Sequence, residues 1–172
     1  MFPIHRLAKP TLVLALLFQL SGCAALLAPP VNPGDTEAAV LARLGQPRHR
    51  YQDGDAHLLE YSSGPWGQRT WMARIGADGQ LESYQQVLST PVFATLIVGK
   101  ATKEDVLRTI GTPSETTYFS RIDREVWTYP YKESNAWDSL MHVYFDQQGI
   151  MRQMQNGPDL RFDPDSRFPL RR

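Results

Sequence analysis

The chain has one cysteine, Cys23, among 172 residues. An internal disulfide is therefore impossible, and a zinc site built on several thiolates is excluded. Charge of one sign is also missing, since eighteen Lys plus Arg face eighteen Asp plus Glu. That balance removes the electrostatic footprint expected of a nucleic-acid binder. Long apolar runs are absent too: Thr11–Phe18, TLVLALLF, is far shorter than the roughly 20 residues that span a bilayer. What is present is a 42% hydrophobic and 10% aromatic composition, enough for a packed core and too rich for a chain disordered throughout. Thirteen prolines and twelve glycines point to many turns and short elements rather than a helical bundle.

The first segment carries Arg6 and Lys9 and no acid, then the short apolar run, then Leu20-Ser21-Gly22-Cys23. A basic start, an apolar stretch and small residues before a cleavage point describe an export signal over 1–22. Ser21 and Gly22 fit a narrow peptidase cleft, and Cys23 supplies a thiol for acylation. Leu-Ser-Gly-Cys resembles a bacterial lipoprotein signal, with Cys23 as the lipid attachment site and no other cofactor expected. Each buried methylene contributes about 0.8 kcal/mol, so two or three acyl chains hold a protein on a membrane. Ala24 after the cysteine, rather than Asp, favours transfer to the outer membrane by the enterobacterial sorting rule. Residues 23–33 form a lipidated tether stiffened by Pro29, Pro30 and Pro33.

Beyond the tether one pattern occurs twice. Thr36, Val40, Leu41, Leu44, Gly45 and Pro47 recur as Thr102, Val106, Leu107, Ile110, Gly111 and Pro113, offset by 66 residues. Trp71–Ile75 aligns with Met141–Phe145, and Gly79 with Gly149, at an offset of 70. Four extra residues therefore fall within the second copy, in the loop PYKESNAWDS. Thr36 and Thr102 suit helix N-caps, Asp105 completes a capping box, and the glycines suit left-handed C-terminal caps. Phe93, Leu96 and Ile97, after Pro91, have the spacing of a leading helix in the second copy. Alternating segments predict strands over about 48–52, 57–62, 70–75, 80–87, 116–120, 125–129, 141–146 and 150–154. The reading is an α+β fold: two tandem units, 34–88 and 89–157, each of one or two short helices on a small antiparallel sheet. Residues 158–172 read as a flexible tail.

The order Thr102–Pro113, then Glu125-Val-Trp-Thr-Tyr129, then Val143–Gly149, behind a lipobox, resembles the SmpA/OmlA (BamE-like) family of small outer-membrane lipoproteins. The resemblance is fullest over 90–158. It implies a helix pair on an antiparallel sheet and a non-catalytic role in the bacterial envelope, facing the periplasm. It also implies another envelope protein as partner, barrel-assembly subunits among the candidates. The tandem arrangement also resembles the two-repeat architecture of β-lactamase inhibitory protein, which leaves an inhibitor-like or ligand-sensing alternative open.

Chemistry is sparse. His49, His57 and His142 lack metal-ligand spacing, and the serines lack a nucleophile elbow. A hydrolase would need a paired carboxylate such as Glu60 with Asp53. The expectation is that the protein is no enzyme. With Trp71, Ala73, Ile75, Val143 and Phe145 facing the helices, the opposite sheet face is expected to carry Met72, Arg74, Tyr84, His142, Tyr144, Arg152 and Met154. That mixture of aromatic, Met and Arg residues is typical where proteins meet partners, though single surface apolar residues are common. Trp66 and Trp137 sit in matching loops, to touch a partner or lipid head groups, or to fold back as staples.

Overall fold

The computed structural model describes residues 31–63 and 66–162. The signal segment, Cys23, the tether up to residue 30, Gly64, Pro65 and residues 163–172 lie outside the described residues. Helix α1 (Glu37–Leu44) precedes strands β1 (His49–Asp53), β2 (Ala56–Ser63), β3 (Arg69–Ile75) and β4 (Leu81–Gln86). Helices α2 (Thr90–Phe93) and α3 (Lys103–Ile110) precede β5 (Glu115–Phe119), β6 (Arg124–Glu133), β7 (Trp137–Phe145) and β8 (Met151–Pro158). Each set of four strands forms its own antiparallel sheet in sequence order. The fold is α+β with tandem helix-and-sheet units. No helix among the described residues is long and apolar enough to cross a membrane.

The repetition extends to single hydrogen bonds. Gly45 N–H donates to the Leu41 carbonyl and Gly111 N–H to the Leu107 carbonyl, both at 2.9 Å. Glu37 N–H reaches the Gly79 carbonyl and Lys103 N–H the Gly149 carbonyl, both at 3.0 Å. Each helix is thereby tied at its start to the β-turn that closes its own sheet. Thr36 and Thr102 cap as expected, and Asp105 closes the capping box on Thr102.

Three local expectations are corrected. Gly45 (φ 80, ψ −165) and Gly111 (φ 82, ψ −166) have positive φ but are not left-handed helical. Their backbones swing directly into an extended path toward Pro47 and Pro113, a region open essentially only to glycine. The leading helix is a single turn ending at Phe93, so Phe93 and Leu96 are buried while Ile97 is exposed. The four extra residues of the second copy lengthen a hairpin rather than a loop. β6 and β7 pair out to Glu133 and Trp137, around Ser134 (φ 50) and Asn135 (φ 59). Three residues, Ser134, Asn135 and Ala136, connect the paired ends, and the Ala136 N–H closes the turn on the Glu133 carbonyl at 3.0 Å. Pro130 fits within β6 because β5 pairs only as far as Thr128, so its missing N–H costs no ladder bond.

The layers stack in the order α1, first sheet, α2 with α3, second sheet. Val40, Leu41 and Leu44 pack with Leu59, Ala73, Ile75 and Leu81 on one face of the first sheet. Val31 is buried in that same cluster, doing for the first unit part of what a leading helix does for the second. The other face, with Leu58, Met72 and Val87, is covered by Val92 of α2. The far side of α2 and α3 presents Phe93, Val106 and Ile110 to Trp127, Tyr129, Met141, Val143 and Phe145 of the second sheet. Of the segment expected to be a loose tail, 158–162 are ordered against the second sheet, and 163–172 lie outside the described residues. Asp159 is buried, its N–H donates to the Asp138 carbonyl at 2.9 Å, and a 3₁₀ turn follows over Leu160–Phe162.

Candidate interaction surfaces

The face expected to gather seven residues is not one surface. Met72 is buried beneath α2. Arg74 is paired with both Asp53 and Glu82. Tyr84 lies on the opposite side of the first sheet, stacked on Trp71 with ring centroids 4.9 Å apart. Met154 packs against the second core, and Arg152 is paired with Asp146 at 2.6 Å. His142 and Tyr144 remain together on the outer face of the second sheet.

One cause accounts for the two reversals. Each sheet carries an irregularity at the same point of its last hairpin, between Arg74 and Ile75 and between Tyr144 and Phe145. Ile75 pairs with Leu81 but Arg74 with Ser83, and Phe145 pairs with Met151 but Tyr144 with Gln153. The extra residue shifts the alternation by one, and a one-residue shift sends every later side chain to the other face. Tyr84 and Met154 are turned inward by it.

The loop tryptophans behave differently from each other. Trp66 meets Phe162 edge to face at 6.0 Å, with the Arg161 guanidinium 5.4 Å from its ring, so it is a staple. Trp137 is not in a loop as expected: it opens β7 opposite Glu133 and is 73% exposed. The Trp66 loop is joined to the start of β7 by Gln68, whose side-chain N–H donates to Asp138 Oδ1 at 2.6 Å.

The strongest polar feature was not anticipated: a hydrogen-bonded lock between the units. Glu60 of β2 is fully buried, and its Oε2 accepts from Tyr51 O–H at 2.5 Å, Thr112 N–H at 3.0 Å and Thr112 O–H at 3.0 Å. Tyr51 and Thr112 hydroxyls also lie 2.9 Å apart. Next to them, Tyr129 O–H donates to the Gly111 carbonyl at 3.1 Å. Burial, with Glu60 and the bond to it adding, pushes the Tyr51 phenol well above its ordinary range. Burial does the same for Tyr129, helped by the charges of Tyr51 and Glu60. Both phenols keep their protons near neutral pH. The carboxylate pair considered for hydrolysis is absent: Glu60 is locked between the units and Asp53 is held by Arg74. One sequence signal pointed to the lock. Leu58-Leu59-Glu60 are three consecutive buried residues, which means a strand covered on both faces.

Among the described residues no three His, Cys, Asp or Glu side chains gather as a metal-holding group. Glu37 bridges Arg50 at 2.6 Å and His57 at 3.0 Å beside a concavity of about 450 Å³. The Arg50 bond above all holds its carboxyl below the usual range. Depressed carboxyls are concentrated in the second unit. Asp105 is held by the Thr102 N–H, Asp138 by Lys132, Asp146 by the Ile150 N–H and Asp159 by Arg161. A carboxyl whose folded pKa lies below its unfolded value stabilises above the unfolded value and ceases to as pH falls through the folded one. The urea midpoint is therefore expected to be flat from pH 7 to about 5 and to drop below about pH 4. Asp159→Asn should flatten part of that drop; an acid-insensitive midpoint would contradict the assignment.

Fold and surface thus define a small tandem α+β scaffold, two helix-and-sheet units joined by a buried polar lock. Residues 86–155 match the family described as the outer membrane protein assembly factor BamE domain, so the resemblance read from the sequence holds for the second unit. Of the first unit, only residues 86–88 fall within that match. No curated protein matches the sequence. A crystal structure of a DUF4309 family protein (YjgB) from Bacillus subtilis is 16% identical, covers 73% of this chain over 79% of its own, and has a TM-score of 0.32.

Proposed function

We propose that this chain is a non-catalytic outer-membrane lipoprotein, anchored by acyl chains on Cys23, that serves as a protein–protein interaction module in assembly of outer-membrane proteins. The observation that carries this reading is the BamE-domain match over residues 86–155. Leu20-Ser21-Gly22-Cys23 behind a basic, apolar leader supports the anchor. The second unit supplies the family's scaffold, and the first unit is an addition fixed to it. Removing the signal leaves sixteen basic against eighteen acidic residues, so partner choice rests on local surface rather than bulk charge.

The test is fractionation with metabolic palmitate labelling of the full chain and of Cys23→Ala. The wild type is expected in the outer-membrane fraction and labelled, and the variant unlabelled and released. Membrane retention of the variant would overturn the anchor. Deleting the gene is expected to lower the amount of folded β-barrel protein in the outer membrane. Unchanged barrel levels would overturn the assembly role.

A further inference from the structure

The two sheets point their ends in common directions. The β2–β3 connection of the first meets the β6–β7 end of the second, Gln68 bonding to Asp138 at 2.6 Å and Trp66 lying against Phe162. The turns β1–β2, β3–β4, β5–β6 and β7–β8 therefore lie together at the other end of the stack. The chain enters the fold at that end. Val31 is buried with Ile75 and Leu81, and Gly34 N–H donates to the Leu81 carbonyl at 2.8 Å. In the second unit Gly99 N–H donates to the Met151 carbonyl, also at 2.8 Å. Ile97 and Val98 thus take the place that Asn32 and Pro33, the last residues of the tether, hold in the first.

The units differ in what they show there. The first joins β1 to β2 by the two residues Gly54-Asp55 and exposes Asp55 and Asp78. The second joins β5 to β6 by the four residues Ser120–Asp123 and exposes Tyr118, Phe119 and Ile122, with Ile97 and Val98 at the same end. Among the described residues the other exposed large apolar side chains, Trp66, Trp137 and Leu160, are at the opposite end. Ile122 N–H closes the turn on the Phe119 carbonyl at 3.2 Å, which sets these two side chains on either side of Ser120 and Arg121. Arg121 and Lys100 have no ion-pair partner among the described residues. The acids nearby are occupied. Asp123 accepts from Tyr118 O–H and from the Gln147 side-chain N–H, and Glu104 is turned along α3 to Arg108 at 3.8 Å. Apolar side chains around a free guanidinium suit a membrane interface, where the former reach the acyl boundary and the latter stays among phosphates.

We infer that the β5–β6 turn dips into the interface of the phospholipid bilayer that holds the acyl anchor, with Phe119 and Ile122 below the phosphates and Arg121 among them. The inference rests on lipidation at Cys23 and adds which end of the fold meets the lipid. Tethering raises the effective concentration of bilayer at the tip, so a contact too weak to recruit a free protein is sufficient. The phosphate is common to all phospholipids, and no particular headgroup is required. Trp66 and Trp137, for which lipid head groups were one expected contact, point away from the membrane.

The experiment uses the full-length lipidated chain in protein-free phosphatidylcholine vesicles whose acyl chains carry bromine near the headgroup. Phe119→Cys, Ile122→Cys, Asp55→Cys and Trp137→Cys are made singly, and each new thiol is labelled with nitrobenzoxadiazole, Cys23 being blocked by its acyl chain. Bromine is expected to quench the labels replacing Phe119 and Ile122 and to leave those replacing Asp55 and Trp137 unchanged. Adding Phe119→Asp is expected to lower quenching of the label replacing Ile122 by about fivefold or more without moving the thermal midpoint. Should that variant unfold, Arg121→Glu serves instead. Quenching unmoved by the added substitution, equal at all four positions, or confined to Trp137 would overturn the inference. Quenching that vanishes when each vesicle holds a single chain would also overturn it, assigning the tip to a second copy. A vesicle-bound chain with no quenching at either tip position would overturn it and leave the anchor standing. A chain that does not stay on the vesicles would end both.

Discussion

Glu60→Ala is expected to destabilise the fold by about 3 kcal/mol, the sum of a cavity and of hydrogen-bonding groups left buried without a partner. The Thr112 N–H has Glu60 Oε2 as its acceptor at 3.0 Å, and in the variant that donor is left without its carboxylate acceptor. Two hydroxyl protons, from Tyr51 and Thr112, are shared among three close oxygen contacts; losing the carboxylate removes two of them and leaves only the Tyr51–Thr112 contact. Glu60 Oε1 is buried without a partner, which marks this carboxylate as held by one oxygen only. For a fold of this size the loss corresponds to a fall in thermal midpoint of roughly 6–12 °C. Glu60→Leu should recover the volume but not the acceptor and fall between the wild type and Glu60→Ala. Urea unfolding of the three proteins decides it. A Glu60→Ala protein within about 0.5 kcal/mol of wild type would show that the lock contributes nothing.

The second large effect comes from comparing two glycines with nearly the same backbone. Gly45 and Gly111 both have φ near 80° and ψ near −165°, so alanine at either incurs the same strain of about 1–3 kcal/mol. They differ in what surrounds them. A Cβ on Gly45 meets nothing within 4 Å, whereas on Gly111 it meets Thr70 Cγ2 at 3.0 Å and the Glu60 carboxyl at 3.1 Å. Gly111→Ala is therefore expected to exceed Gly45→Ala by about 1–3 kcal/mol, the usual cost of overpacking a core. The difference measures how closely the units approach, free of backbone strain. Equal effects at the two positions would mean that the units separate readily enough to admit a methyl group. Thermal unfolding of both variants is the measurement.

Much of this architecture was legible because it depends on local chemistry. Caps at Thr36 and Thr102, helix stripes through Val40 and Val106, and alternation through Trp71–Ile75 and Met141–Phe145 are short-range signals. All eight strands were placed within a few residues on those grounds. The surface was less legible, because a residue's face depends on counting through a hairpin. One added residue in the returning strand, Glu82 in β4 and Arg152 in β8, was enough to move Tyr84 and Met154 inward. Met72 was misplaced for a different reason: alternation tells which residues share a face, not whether another layer will cover it. The Glu60 lock joins residues 52 positions apart in sequence, and no local pattern specifies such a pairing. Its one trace was the doubled leucine beside it.

Val31, the first described residue, is already fixed in the core between α1 and the first sheet. Between it and the proposed acyl anchor on Cys23 run seven residues, 24–30, a leash of eight steps of chain that reaches at most about 29 Å. The leash is fastened at the α1 end of the stack, and at about 10 Å per layer the outer face of the second sheet stands roughly 30 Å farther along. With the proposed anchor on Cys23, that face stands within about 60 Å of the bilayer surface. Any partner it meets must come within that radius, whatever else that partner is attached to.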